Sequence, residues 1–294
     1  MIVATCLGEF AAGRRELDAA GRQRVVFVPT MGALHAGHRA LIRLAHASGD
    51  AVVVSIFVNP LQFGPNEDYA RYPRPVEDDL AVCEAEGVDL VLAPSVAELY
   101  PAGRHVSVHA GLMGDVLEGA SRPGHFDGVL TVVVKLFHLV RPHVALFGEK
   151  DAQQLALIQR MVTDLNMDVE VLGAPTVREP DGLALSSRNV FLSPSERSLA
   201  ISLSTALQKA AAAPNVAAAR VAANEVLDRV QFEPDFELDY AAFVHPATFV
   251  EVPDDHPGPV RMLLAAKVGG TRLIDNALLE FPAPPSPQET VEPA

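Results

Sequence analysis

Five short runs of aliphatic and β-branched residues, Arg24 to Val28, Ala51 to Val58, Asp89 to Ala93, Val144 to Phe147 and Val169 to Leu172, alternate with stretches of helical periodicity. A strand apolar on both faces must be covered on both, and helices in the crossovers between parallel strands do this. The pattern therefore predicts a mostly parallel α/β sheet with right-handed connections. Candidate helices run from Gly37 to Ala47, Glu77 to Glu86, Gly128 to Val140 and Asp151 to Leu165. In the last of these, Leu155, Ile158, Val162 and Leu165 share a face, which is read as core.

After about Thr176 the character changes. Ser195 to Val230 is Ala-rich and helical in pattern, and strand-like segments follow at Phe236 to Val244, Arg261 to Val268 and Arg272 to Asp275. The expected organisation is a Rossmann-like α/β domain over 1–176, a smaller α+β domain over 177–282, and a Pro-rich acidic tail over 283–294 with too little apolar surface to order. A chain of 294 residues with 49% hydrophobic content has enough apolar surface for two cores. Its net charge of −14 argues against non-specific nucleic-acid binding, which needs an excess of cations, and favours a small-molecule substrate. Cys6 and Cys83 form neither a disulfide framework nor a zinc-ligand spacing, which fits a reducing cytoplasm. The most apolar run, Ala51 to Val58, is too short for a bilayer, so no membrane partner is expected.

Chemistry-bearing residues gather at strand-to-helix junctions. In Pro29-Thr30-Met31-Gly32-Ala33-Leu34-His35-Ala36-Gly37-His38, a buried strand runs into a Gly-containing turn and a helix start. The spacing of His35 and His38 puts both imidazoles on one side of that helix's N-terminus, where unpaired N–H groups favour a phosphate. A second junction, Gly148-Glu149-Lys150-Asp151-Ala152-Gln153-Gln154, offers a cation in Lys150, a cap or ribose ligand in Asp151, and Gln154 one turn on. Leu185-Ser186-Ser187-Arg188-Asn189 suits a phosphate clamp, or a turn before the next helix. Asn59 and Gln62, after the second strand, are neutral groups able to orient hydroxyls and carboxylates of a small substrate. Asp78 and Asp79 either hold Mg2+ or act as dipole partners at a helix start.

Taken in order, these segments resemble the pantothenate synthetase family, within the nucleotidylyltransferase superfamily that shares His-x-Gly-His with class I aminoacyl-tRNA synthetases. The resemblance spans Val25 to Asn276, including Arg178-Glu179 to Asn189 and Leu264-Ala265-Ala266-Lys267 to Asp275-Asn276. It implies Mg2+- and ATP-dependent condensation of pantoate with β-alanine in a cytoplasmic homodimer. It places ATP against Met31 to His38, Gly148 to Asp151, Val177 and Leu185 to Arg188, with His38 catalytic. It gives His35, Lys150, Ser186, Ser187 and Arg188 to the phosphates, Gln62 and Gln154 to pantoate, and a gating position to Tyr72. Leu185 stands where the family commonly has Met, a volume-conserving change. On this reading the second domain closes over the first and carries Ser186 to Arg188 to the phosphates. The competing readings are a nucleotidylyltransferase that stops at nucleotide transfer and a non-catalytic nucleotide-binding module.

Overall fold

In the strand Val25–Thr30 the residues Val25 to Val28 are wholly shielded from solvent, the outcome demanded of a segment with no polar face. The computed structural model describes residues 1–65, 67–101 and 105–282. The tail expected over 283–294 lies outside the described residues. Backbone contacts divide the chain into two units, Met1–Pro180 with Ala184–Val190, and Asp181–Leu183 with Phe191 onward. The boundary expected at 176/177 falls inside the first unit, and Leu185 to Arg188 belong to that unit. Their position there therefore requires no movement of the second.

The first unit runs β1 (Ile2–Ala4), α1 (Leu7–Ala19), β2 (Val25–Thr30), α2 (Ala36–Ser48), β3 (Ala51–Ile56), α3 (Val76–Ala85), β4 (Leu90–Leu92), α4 (Val96–Leu99), α5 (Glu118–Ser121), α6 (His125–Val140), β5 (Val144–Gly148), α7 (Ala152–Asp164) and β6 (Glu170–Ala174). Its six strands lie in the order β1-β4-β3-β2-β5-β6 and every pairing is parallel. Side chains alternate between the faces. Phe27, Val53, Leu92 and Phe147 pack with α1, α6 and α7, while Val26, Val28, Val54 and Leu146 pack with Ile42 and Ala45 of α2 and Cys83 of α3. From β2 the order runs outward through β3 and β4 on one side and through β5 and β6 on the other. The switch point lies between β2 and β5, where connections diverge and leave a crevice at the strands' carboxyl ends.

Three readings change. The pair β1 and α1 carried no strong periodic signal, and α6 begins at His125 rather than Gly128. On α7 the buried stripe is Leu155, Ile158 and Met161, whereas Leu165 is exposed beyond the last turn.

In the second unit the Ala-rich stretch forms two helices, α8 (Pro194–Ala211) and α9 (Val216–Leu227). Ser193 and Glu196 close a reciprocal capping box on α8, and Asn215 caps α9, so the break falls at a strong helix start. An antiparallel sheet of β7 (Phe236–Val244), β8 (Gly258–Val268) and β9 (Thr271–Phe281) packs Phe243, Met262 and Leu264 against Leu203 and Leu207.

Helix α6 approaches the backbone after β3 closely. A Cβ on Gly128 would come within 2.1 Å of the Leu61 carbonyl oxygen, so no side chain fits there without displacing the turn that carries Asn59 and Gln62. Gly128→Ala is expected to destabilise the protein by about 1–3 kcal/mol, the usual cost of overpacking. Denaturant titration would read this, and a midpoint equal to wild type would show that the helix can shift away.

Candidate active site

The turn between β2 and α2 is held from outside itself. Gly32 (φ +83°) and Ala33 (φ +51°) both have left-handed backbone, which the second adopts at a cost. Asp79, on the first turn of α3, accepts the N–H of Ala33 at 2.9 Å and of Leu34 at 2.7 Å, one on each carboxylate oxygen. Thr30 donates its hydroxyl to the Ser55 carbonyl at 2.6 Å and accepts the Gly32 N–H at 3.2 Å. A carboxylate and a hydroxyl thus fix the path by which the chain leaves β2.

That path delivers the histidines. His35 is the N-cap of α2, its Nδ1 accepting the Gly37 N–H at 3.1 Å, and His38 Nδ1 accepts the His35 N–H at 3.2 Å. An imidazole nitrogen that accepts carries no proton, so each neutral ring bears its hydrogen on Nε2. Burial, then the neighbouring His35 and Lys150, push the His38 pKa down to about 3. Burial and Lys150 lower that of His35. Both rings are neutral hydrogen-bond donors at pH 7, and they line one cleft.

The second junction lies at the end of β5, beside β2. Gly148 leads into a single tight turn, Glu149–Asp151, before α7, so Lys150, Asp151 and Gln154 line the same cleft. A third segment closes it. The Leu185 N–H donates to Val177 O at 2.9 Å, and buried Asn189 donates to Glu179 at 2.9 Å and to Ala184 O at 3.1 Å. These bonds fold 177–189 back on itself, so that Val177 and Leu185 to Arg188 line the cleft. Within it, Ser186 Oγ accepts the Arg188 N–H at 3.2 Å, and the Arg188 guanidinium pairs with Asp68 at 3.1 Å.

Beyond the histidines the wall becomes apolar, formed by Val129, Val132, Val133 and Leu136 of α6 with Phe57 and Phe147. Gln62 enters this pocket with its amide orientation fixed. Asn59 donates to Gln62 Oε1 at 3.0 Å and to Gly128 O at 3.1 Å, while its own Oδ1 accepts from Tyr100 at 2.9 Å and from the Leu61 N–H at 3.2 Å. With its oxygen so engaged, Gln62 presents Nε2, which lies 3.1 Å from Met31 Sδ. The Gln62 backbone carbonyl is held by His125 Nδ1 at 2.8 Å and by Arg122, which also pairs with Glu67. Burial, then Arg122, lowers the His125 pKa to about 4, so this ring too is neutral.

Of the residues expected at the site, Met31, His35, Gly37, His38, Gly148, Lys150, Asp151, Val177 and Leu185 to Arg188 line the cleft, as do Asn59, Gln62, Tyr72 and Gln154. Gly32, Ala33, Leu34, Ala36 and Glu149 shape its turns without lining it. Asn59 spends its side chain on Gln62, Gly128, Tyr100 and Leu61, so it orients a neighbour rather than reaching outward. Asp79, expected with Asp78 at a metal, is 2% exposed and engages a loop N–H with each oxygen; neither residue lines the cleft. Among the described residues no group of three or more His, Cys, Asp or Glu side chains could hold a metal. Sequence reasoning missed Arg122 and His125, whose signal was the Ser121-Arg122-Pro123-Gly124 turn before α6.

Two loops at the carboxyl ends of adjacent strands, on either side of a strand-order switch, place the chain among α/β proteins that bind nucleotides at such a crevice. The family model described as pantoate-beta-alanine ligase matches residues 4–278. Pantothenate synthetase of Acidothermus cellulolyticus is 56% identical over 94% of this chain and 90% of its own length. The crystal structure of pantothenate synthetase from Thermus thermophilus is 48% identical, with a TM-score of 0.87 over 94% of this chain and 99% of that one. The pantoate-beta-alanine ligase of Francisella tularensis, solved with a β,γ-ATP compound and β-alanine, is 36% identical with a TM-score of 0.77, covering 95% and 97% of the two chains. The chain belongs to the pantoate–β-alanine ligase family and is a ligase. No helix of the described residues is long and apolar enough to cross a membrane.

The capped histidines set a measurable pH behaviour. Both pKa values are lowered, and that of His38 far enough that its proton is absent at pH 6 and enters only toward pH 3. Nitrogen-15 NMR should find His38 as the Nε2–H tautomer at pH 6, and a His38 midpoint near 6.5 would contradict the arrangement.

Proposed function

We propose that this chain condenses pantoate with β-alanine, using ATP to form a pantoyl adenylate and releasing AMP and diphosphate. The observation that carries this reading is one cleft in which the histidine turn, the Lys150 turn and Ser186 to Arg188 adjoin an apolar pocket entered by Gln62 and Gln154. Pantoate is a branched, gem-dimethyl hydroxy acid, which suits a wall of Val132, Val133, Leu136 and Phe147 with amide donors at its edge. The Nε2 hydrogens of Gln62 suit the acid's oxygens.

A carboxylate is a poor acyl donor because its oxygen leaves as an oxide. In the first step a pantoate carboxylate oxygen attacks the α-phosphorus of ATP in line, and the bond to the bridging oxygen breaks with its electron pair departing on diphosphate. Charge grows on that leaving group. His35 and His38 donate neutral Nε2–H bonds, Lys150 and Arg188 supply positive charge, and Ser186 and Ser187 donate hydroxyls. His38 is a poor proton source, because its Nδ1 is occupied and its conjugate acid is too strong to persist at pH 7. In the second step the β-alanine amine attacks the acyl carbon, AMP leaves, and the ammonium proton passes to solvent. In this reading Asp151, at the α7 start, takes the ribose, and Tyr72, which also lines the cleft, flanks its entrance.

Mg2+ accompanies ATP in this reading. Asp79 commits both carboxylate oxygens to loop N–H groups, so in this reading phosphate oxygens and water supply most of its ligands. A cytoplasmic homodimer and closure of a lid domain complete the proposal.

Incubation with ATP, Mg2+, pantoate and β-alanine should yield pantothenate, AMP and diphosphate in equal amounts by mass spectrometry. Diphosphate exchange into ATP should require pantoate and proceed without β-alanine; exchange independent of pantoate would reject the reading. Lys150→Ala and His38→Ala should each slow adenylate formation by about 100-fold or more, the scale of losing one donor to a developing anion. Near-normal turnover in both would remove them from the chemistry.

A further inference from the structure

Glu67 and Asp68 are consecutive carboxylates beside the short helical turn Asp68–Arg71, and each reaches an arginine that lines the cleft. Glu67 holds Arg122 at 2.6 and 2.9 Å. Asp68 holds Arg188, with Nε to Oδ2 at 3.1 Å and Nη2 to Oδ1 at 3.2 Å. The second pair is a side-on fork: two parallel bonds fix the plane of the guanidinium and its direction. Both bonds fall on the Nε–Nη2 edge, which leaves Nη1 outside the pair. Arg188 is therefore not a loose cation swept in by a ligand. Its long side chain has its rotamer freedom removed beforehand, so binding an anion does not have to remove it.

We propose that Asp68 is a positioning residue for the nucleotide step: it orients Arg188 so that the Nη1 side of the fork meets the phosphates of ATP. The inference rests on reading the cleft as a nucleotide site. A carboxylate this close to a polyanion repels it, so the arrangement is useful only if orientation outweighs repulsion. Asp68→Asn decides between the two. It keeps the volume but offers one acceptor and one amino group, which faces a guanidinium N–H, so the fork is lost.

The test measures pantoate-dependent diphosphate release in the steady state with β-alanine present, with ATP and pantoate each varied, for wild type, Asp68→Asn, Asp68→Glu, Arg188→Ala and the double variant. Asp68→Asn should lower kcat/KM for ATP by about 10-fold, the size of one misplaced charged contact. KM for pantoate should stay within about twofold, and Asp68→Glu should recover part of the loss by restoring a fork. In an Arg188→Ala background the Asp68→Asn change should have no further effect, because Asp68 acts through that side chain. Equal losses in both backgrounds, unchanged ATP kinetics, or tighter ATP binding with normal turnover in Asp68→Asn would each overturn the proposal. Failure of the wild type to release diphosphate from ATP and pantoate would instead overturn the nucleotide reading itself.

Discussion

The carboxylate of Asp79 accepts the N–H groups of Ala33 and Leu34, and the geometry of the site follows from that contact. The turn it holds has left-handed backbone at Gly32 and Ala33, which tends to relax unless its surroundings determine it. Asp79 also leaves no room for a larger residue at Gly32, where an added Cβ would lie 2.8 Å from Oδ2. From this turn the chain enters α2 in the direction that makes His35 its cap. Capping in turn decides that both imidazoles donate from Nε2. One buried acid outside the cleft thereby helps set the tautomer of two rings inside it.

Parallel topology does the rest of the assembly. Because β2 and β5 are neighbours on either side of the order switch, the two loops leaving their carboxyl ends face one crevice. Segments about a hundred residues apart supply its histidines and its lysine. A chain of net charge −14 can still bind a polyanion, because the local field comes from Lys150, Arg188 and oriented donors. Acidic residues take part in this order. Asp68 and Glu67 pair the cleft arginines, and Asn59 with His125 locks Gln62.

The central strands were legible because β-branched residues buried on both faces leave a continuous apolar run, as in Val25 to Val28 and Ala51 to Ile56. The edge pair β1 and α1 was not, since a strand of three residues carries too little pattern. Junction residues such as His38 and Lys150 could be picked out because the chemistry of a helix start is local. The partners of those residues could not: nothing near Asp79 in sequence points to Ala33, and nothing near Asp68 points to Arg188. Those contacts exist only through the fold. The Ser186 to Arg188 segment shows the same limit, since its Ser- and Arg-rich composition suggested a clamp but not the unit to which it belongs.

A crystal structure with a non-hydrolysable ATP analogue tests the central claim most directly, because that claim concerns one triphosphate meeting three distant segments. The phosphate oxygens are expected within hydrogen-bonding distance of Nε2 of His35 or His38, Nζ of Lys150 and the guanidinium of Arg188. The ribose is expected beside Asp151. A nucleotide seated away from the β2 and β5 carboxyl ends, or contacted by only one of these segments, would contradict it.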